Sequence, residues 1–375
     1  MSARFLTVVL ERAFNMRDGF GREIDYMRIS VIDSCNLNCY YCNPCDNNEH
    51  CHALNILSVK EVLCIVRAAT RLGIKHFRLT GGEPLLHPQL DEMVLQIKKI
   101  PGVSSVSLTT NAVLLAQHAK WLKEAGIDSI NVSLDTIDAS EYERITKKPL
   151  LEEVKHGINA AIECGIRVKI NVVLTPQTDV VALTRYVAKK GTDIRFIEMM
   201  PVGEGHTNGV EPYKKVIGTL SKLYGEPCRI NTEKTKEINS GNDKRKIPDN
   251  GPAEYYIFPE LGIRVGLIQA IHGKFCDTCN RIRVTADGRL MPCLGSSVTM
   301  DLVPDSCEFT DDLEKDFVIA QALRAAIKAK PRCHNFNDNA VTYTKTTETK
   351  TVETKTTELK AAEVNAARNM SRIGG

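Results

Sequence analysis

Two sets of three cysteines carry most of the chemistry this sequence offers. The first, Cys35-Asn-Leu-Asn-Cys39-Tyr-Tyr-Cys42, has the spacing C-x3-C-x2-C and directly follows a strand-like run from Tyr26 to Asp33. Thiolates are soft ligands that suit iron–sulfur clusters, and a [4Fe–4S] cube held by only three of them leaves one iron open to a small molecule. Half of a structural zinc site, or three buried inert thiols, would fit that spacing taken alone. The second set is Cys276-x2-Cys279-x13-Cys293. By itself it favours zinc, with Cys307, His272 or Cys228 as a fourth ligand.

The elements that must position these cysteines are legible from Tyr26 onward, where short β-branched runs alternate with helical patterns. Strands are predicted at Met27–Asp33, His76–Thr80, Val106–Thr109, Ile127–Ser133, Arg167–Leu174 and Asp193–Glu198. Helices are predicted near Ser58–Leu72, Pro88–Ile100, Val113–Ala125, Leu151–Cys164 and Val180–Lys190. Ser58 with Glu61 reads as a capping box, and Gly73, Gly126 and Gly165 stand where helices should end. Alternation of this regularity means a parallel sheet with crossover helices, and periodicity does not decide between an open sheet and a partial barrel.

After Met200-Pro201 come a glycine-rich loop at 202–209 and a mixed segment whose charged stretch at 231–252 reads as exposed loop. Beyond Pro331 a Thr/Lys/Glu repeat of five residues matches neither the helical nor the strand period and reads as a solvated linker. Residues 1 to about 25 show no clear period and read as an arm leading into the first strand.

With 375 residues and 43% hydrophobic content the chain can bury a large core. Its 49 Lys and Arg nearly balance 46 Asp and Glu, so overall charge gives no case for nucleic acid or a membrane surface, and any anion site must be local. No apolar run reaches the length of a membrane span. Of the 13 cysteines, six fall into the two triads and seven (Cys45, Cys51, Cys64, Cys164, Cys228, Cys307, Cys333) are scattered, which reads as metal binding in a reducing, cytoplasmic compartment.

The cysteine loop, with the aromatic Tyr41 before its last cysteine, resembles the radical S-adenosylmethionine superfamily. The paired triads and Arg78-Leu-Thr-Gly-Gly-Glu-Pro84 resemble, within it, the GTP 3′,8-cyclase family of molybdenum cofactor biosynthesis, over about residues 20 to 335 and the last half-dozen residues. This resemblance implies an α/β fold, a partial (β/α)6 TIM-like barrel at 26–205 with a C-terminal auxiliary-cluster domain at 206–335 and a tail at 336–375. It implies two [4Fe–4S] clusters on Cys35, Cys39, Cys42 and on Cys276, Cys279, Cys293, with S-adenosylmethionine held by Tyr41, Gly82, Ser133 and Met200. The segment before Met200 is shorter than the family's usual one.

For GTP the same resemblance implies Arg28, Arg78, Thr109, Lys169, Arg281, Ile282 and Arg283. Arginine forks hold phosphate oxygens bidentately, and Arg281 and Arg283 alternate on one strand face. Arg28, Arg281, Arg283 and the terminal Gly374 and Gly375 are implied as catalytic, although here the Thr/Lys/Glu repeat separates the folded body from that ending. The reaction implied is conversion of GTP to 3′,8-cyclo-7,8-dihydro-GTP, fed by an electron donor and drained by a downstream pterin-forming enzyme. A homodimer is compatible with this. A radical S-adenosylmethionine peptide-modifying enzyme and a noncatalytic metal-binding or electron-transfer module are the alternatives. Asp33, Asp135 and His87 stay unassigned.

Overall fold

The computed structural model describes residues 16–42, 55–202, 209–230, 251–296, 299–302, 312–334 and 336. The chain divides at Val341 into two units, and all described residues belong to the first. Gly374, Gly375, the Thr/Lys/Glu repeat, Cys45, Cys51, Cys307 and residues 231–250 lie outside the described residues.

Six strands run parallel in sequence order: β1 (Tyr26–Ser30), β2 (His76–Thr80), β3 (Ser105–Thr110), β4 (Ser129–Ser133), β5 (Val168–Val173) and β6 (Asp193–Ile197). Their crossovers carry α1 (Val59–Arg71), α2 (Leu90–Lys98), α3 (Leu115–Glu124), α4 (Ala139–Thr146), α5 (Leu151–Glu163) and α6 (Val180–Lys189). Ser58 and Glu61 form the expected reciprocal cap on α1. Gly73, Gly126 and Gly165 take positive φ after α1, α3 and α5, a conformation glycine adopts without steric penalty. Among these crossovers the unpredicted helix is α4, capped by Asp138 and buried through Tyr142 and Ile145.

The later strands join both edges of the six. After the short helix α7 (Gly218–Tyr224) come β7 (Cys228–Arg229), β8 (Glu254–Ile257), β9 (Arg264–Ile268), β10 (Arg281–Val284), β11 (Arg289–Met291) and β12 (Met300–Asp301), followed by α8 (Asp312–Lys328). β9 pairs parallel with β6 and β10 parallel with β1, giving one twelve-stranded sheet in the order β12-β11-β10-β1-β2-β3-β4-β5-β6-β9-β8-β7. The mixed segment foreseen after residue 209 therefore extends the barrel sheet on both sides.

Alternation along the strands separates two faces. Met27, Ile29, Phe77, Leu79, Val106, Leu108, Ile130, Val132, Ile170, Ile194 and Phe196 are buried in the hydrophobic core. The alternate residues, including Tyr26, Arg28, Arg78, Thr109, Asn131, Lys169 and Arg195, line a cavity of about 720 Å³. All six strands contribute to that one cavity, as a sheet curled on itself requires. Most of its lining residues carry polar groups where a filled barrel would hold branched aliphatics, so the interior is space for a ligand. No helix among the described residues is long and apolar enough to cross a membrane.

Candidate functional site: two cysteine loops on adjoining cavities

Cys35, Cys39 and Cys42 sit on the loop after β1, at the carboxyl ends of the strands, and all three line the larger cavity. The loop is pinned by its backbone: Asn38 and Tyr40 donate to the carbonyls of Thr146 (3.0 Å) and Ile145 (3.1 Å) at the end of α4. Asn111 donates to Asn36 Oδ1 (2.8 Å) and reaches the Cys35 sulfur at 3.8 Å.

The Gly81-Gly82 strap explains itself by distance. Gly82 donates to the Ile32 carbonyl (2.7 Å) and Glu83 to that of Ser34 (2.8 Å). A Cβ on Gly82 would stand 2.2 Å from the Ser34 oxygen, and one on Gly81 2.4 Å from that of Ile32. Only glycine lets this strap lie against the root of the cysteine loop. Glu83 is buried and fixes the next loop, accepting from Thr110 Oγ1 (2.6 Å) and the amides of Asn111 (2.7 Å) and Leu85 (3.0 Å).

The unassigned Asp135 proves to face the cavity beside this loop. The Tyr41 hydroxyl donates to one of its oxygens and the Val173 amide to the other (2.7 Å). Burial pushes its carboxyl up to about 6. Asp33 instead holds Asn55, and His87 is buried against the Leu57 carbonyl, so neither is placed for acid–base work.

Cations gather on the neighbouring wall. The ladder sets Arg283, Arg28 and Arg78 side by side on β10, β1 and β2. Adjacent strands lie only about 5 Å apart, so these guanidiniums repel one another. Burial, then Arg283, Arg78 and Arg281, push Arg28 well below the usual arginine range, and its Nε has no hydrogen-bond partner. Arg78 donates to the Tyr26 hydroxyl and to Thr109 Oγ1 (3.3 Å). Such a row is relieved by an anion. Lys169, Ser133, Thr109 and Gly82 line the same cavity.

Cys276, Cys279 and Cys293 line a second, smaller cavity of about 140 Å³ together with Arg283, Met200 and Lys330. Arg28, Arg281, Ile197, Pro252 and Ile268 line both cavities, which therefore adjoin. Met200 lies along the smaller one. Ile282 is buried between its two arginine neighbours, on the opposite strand face, and offers a ligand only its main chain. Pro252, at the end of a stretch expected to be exposed, is part of the common wall.

The donor sets fit iron–sulfur clusters. All six thiols are free, and each trio is brought to one cavity wall. Burial raises the Cys39 thiol to about 12, helped by Asp135 and its two partner cysteines, so the first trio ionises only against a compensating cation such as iron. No three His, Cys, Asp or Glu side chains among the described residues converge on a single ion, a requirement that a cube with irons at separate corners does not share. The fourth ligands considered for zinc are elsewhere: Cys228 is exposed on edge strand β7, and His272 is engaged by Glu198.

Tyr26, Asn131, Asn171 and Arg195 also line the cavity, and sequence reading missed them. Asn131 and Asn171 each present an Oδ1 without a partner. Strand parity was the available signal, since Asn131 stands two residues before Ser133 and Asn171 two after Lys169.

The sequence models of two families match: Radical SAM superfamily over residues 29–182 and Molybdenum Cofactor Synthesis C over 192–336. A GTP 3′,8-cyclase of Clostridium perfringens (strain SM101 / Type A) is 35% identical over 324 residues, covering 86% of this chain and 95% of its own. One of Pelotomaculum thermopropionicum is 37% identical over 327 residues, covering 85% and 95%. Among solved structures, Streptococcus suis SuiB bound to precursor peptide SuiA superposes with a TM-score of 0.53 over 80% of this chain and 67% of that one. At 14% identity this likeness shows the fold alone.

Proposed function

The chain belongs to the GTP 3′,8-cyclase family of radical S-adenosylmethionine enzymes, and from that premise we propose how its own residues serve the conversion of GTP to 3′,8-cyclo-7,8-dihydro-GTP in molybdenum cofactor biosynthesis. The observation that carries the proposal is the adjoining of the two cavities, each with three thiols on its wall and with Arg28 and Arg281 common to both.

In this reading Cys35, Cys39 and Cys42 would hold the first [4Fe–4S] cluster, and Tyr41, Gly82 and Ser133 would hold S-adenosylmethionine, with Met200 contributing from the wall of the adjoining smaller cavity. When bound, these cofactors supply the 5′-deoxyadenosyl radical that opens the C3′–H bond of the ribose. Cys276, Cys279 and Cys293 would hold the second cluster, which would supply a binding point for the guanine. Arg28, Arg78, Lys169, Arg281 and Arg283, with Thr109 and the main chain of Ile282, grip the triphosphate, and its charge relieves their mutual repulsion. The barrel wall keeps water and foreign hydrogen donors from the reacting carbon. Gly374 and Gly375 are assigned to the same site from the family's ending, and a barrel to about 205 with an auxiliary-cluster segment to 335 belongs to the same reading, supported by two family models over 29–182 and 192–336.

An electron donor, a downstream pterin-forming enzyme, cytoplasmic residence and a homodimer belong to the proposal as the family's context. The test is anaerobic incubation of the reconstituted, reduced protein with S-adenosylmethionine and GTP. Formation of 5′-deoxyadenosine together with a cyclised nucleotide is expected, and 5′-deoxyadenosine without a cyclised nucleotide rejects the substrate.

A further inference from the structure

Two buried cations that the proposal above leaves without a role converge on the second triad. Arg22 lies in the turn between the bridged residues Arg17 and Glu23, where its Nε donates to the buried Asp18 carboxylate (2.6 Å). Its terminal nitrogens donate to three backbone carbonyls: Nη1 to Cys276 (2.7 Å) and Arg332 (2.8 Å), and Nη2 to Pro331 (2.6 Å). Lys330, 3% exposed, donates from Nζ to the carbonyls of Arg281 and Pro292, both at 2.9 Å. Its ammonium also faces the Cys279 thiol.

Each cysteine of the triad is thus tied to one of the two cations. Arg22 holds Cys276 through its own carbonyl. Lys330 holds Cys279 through the sulfur and the carbonyl two residues on, and Cys293 through the carbonyl one residue before it. The two cations also form one unit, because Arg22 fixes Pro331 and Arg332, which follow Lys330 directly. A single ammonium bridging the strand β10 and the turn before Cys293 carries the β10–β11 pairing, whose last partners are Arg283 and Met291, on toward the cysteines. Burying an ammonium among carbonyls is unfavourable unless negative charge completes its surroundings. Three thiolates around a [4Fe–4S] core make a net anionic assembly, which provides that charge.

We infer that Arg22 and Lys330 are positioning residues, which hold the three cysteines of the second triad at the spacing a cluster needs before the cluster arrives, and that Lys330 then donates to the cluster's Cys279 sulfur. Hydrogen bonds to cluster sulfurs raise the reduction potential. The inference rests on the assignment of a cluster to this triad.

The test uses the full-length chain, reconstituted anaerobically without GTP and read by iron and sulfide content, the electron paramagnetic resonance of the reduced protein, and the midpoint potential of each cluster. Cys276→Ala and Cys39→Ala supply the signatures of the first and second clusters alone. Lys330→Met is expected to lose about half of the iron, the portion missing from Cys276→Ala, or to retain the second cluster at a lower potential, with the first cluster's signal unchanged. Lys330→Arg restores the charge and part of the iron. Arg22→Lys, which keeps a charge but cannot fork to three carbonyls, is expected to lose second-cluster iron as well.

Wild-type iron content and potential in Lys330→Met overturn the inference. Equal loss of both clusters overturns it too, because the cations would then serve the fold at large. A wild-type chain that binds one cluster only, at the first triad, overturns the cluster assignment and this inference with it, whereas failure to cyclise GTP by a protein holding both clusters touches only the substrate.

Discussion

The neighbours of the first triad are carboxylates, Glu83 beside Cys35 and Asp135 beside Cys39 and Cys42, while those of the second are the cations Arg281 and Lys330 beside Cys279. Burial alone would raise all of these thiols. At Cys279 the two cations outweigh it and bring the thiol down to about 7, whereas at Cys39 the carboxylate adds to burial and the thiol stands near 12. Negative surroundings disfavour the extra electron of a reduced cluster and positive ones favour it. The same ligand count is thereby set up for opposite duties: a strong reductant at the first triad, and an anchor for an electron-rich, anionic ligand at the second.

The largest test of this contrast removes one ligand at a time. Cys39→Ala should abolish 5′-deoxyadenosine formation altogether, while Cys293→Ala should keep cleavage of S-adenosylmethionine and lose the cyclised nucleotide, both read by chromatography of quenched reactions. Equal loss of cleavage in both variants would erase the division of labour.

Arg28→Gln sharpens the positive side. Loss of one charge-assisted contact in a confined site is worth about 1.5–3 kcal/mol, so the KM for GTP should rise roughly 10- to 100-fold. Binding of S-adenosylmethionine without GTP should be little changed.

Asp135→Asn probes the negative side. The folded protein holds this carboxyl up at about 6 against an ordinary 3.8, so between those values it binds a proton that the unfolded chain has released. The group's contribution to stability is full below about pH 4 and is lost as pH rises through 6. In the apoprotein, wild type should lose up to about 3 kcal/mol across that window by urea titration, and the Asn variant should show a flatter profile.

Gly82→Ala would press a methyl group into the Ser34 carbonyl, 2.2 Å away. Overpacking against backbone is worth about 1–3 kcal/mol, so a lower Tm and weaker S-adenosylmethionine binding are expected, with the second cluster's spectrum unmoved. Ser58→Ala, at the cap of α1 where the hydroxyl is bonded to Glu61, should lower stability by about 1 kcal/mol and leave both clusters as they were.

What the sequence disclosed was what local patterns encode. Period two and period 3.6 gave the six strands and five of their helices, and Ser58 with Glu61 marked the start of α1 to the residue. The short helix α4 escaped because eight residues with Tyr142 and Ile145 as its buried face give little more than two turns of pattern, although its end holds the cysteine loop. The partners of the later strands escaped for a different reason. β9 and β10 find their partners in β6 and β1 through contacts far apart in the chain, and periodicity does not name partners. In the site, the cysteines and arginines stood out by type, while Asn131, Asn171 and Arg195 are ordinary residues made functional candidates by facing inward. Arg22 was hidden more deeply, since its partners are carbonyls, which every sequence has.

The pairing of β1 with β10 and of β6 with β9 also bears on how the protein is made. As the chain leaves the ribosome, the first six strands emerge with both outer strands still bare, and bare strand edges recruit other chains. Closure waits for residues some two hundred and fifty positions after β1. A nascent or truncated chain stopping near residue 205 would therefore be sticky on two flanks at once, and metallation of the second triad can begin only after Cys293 has emerged.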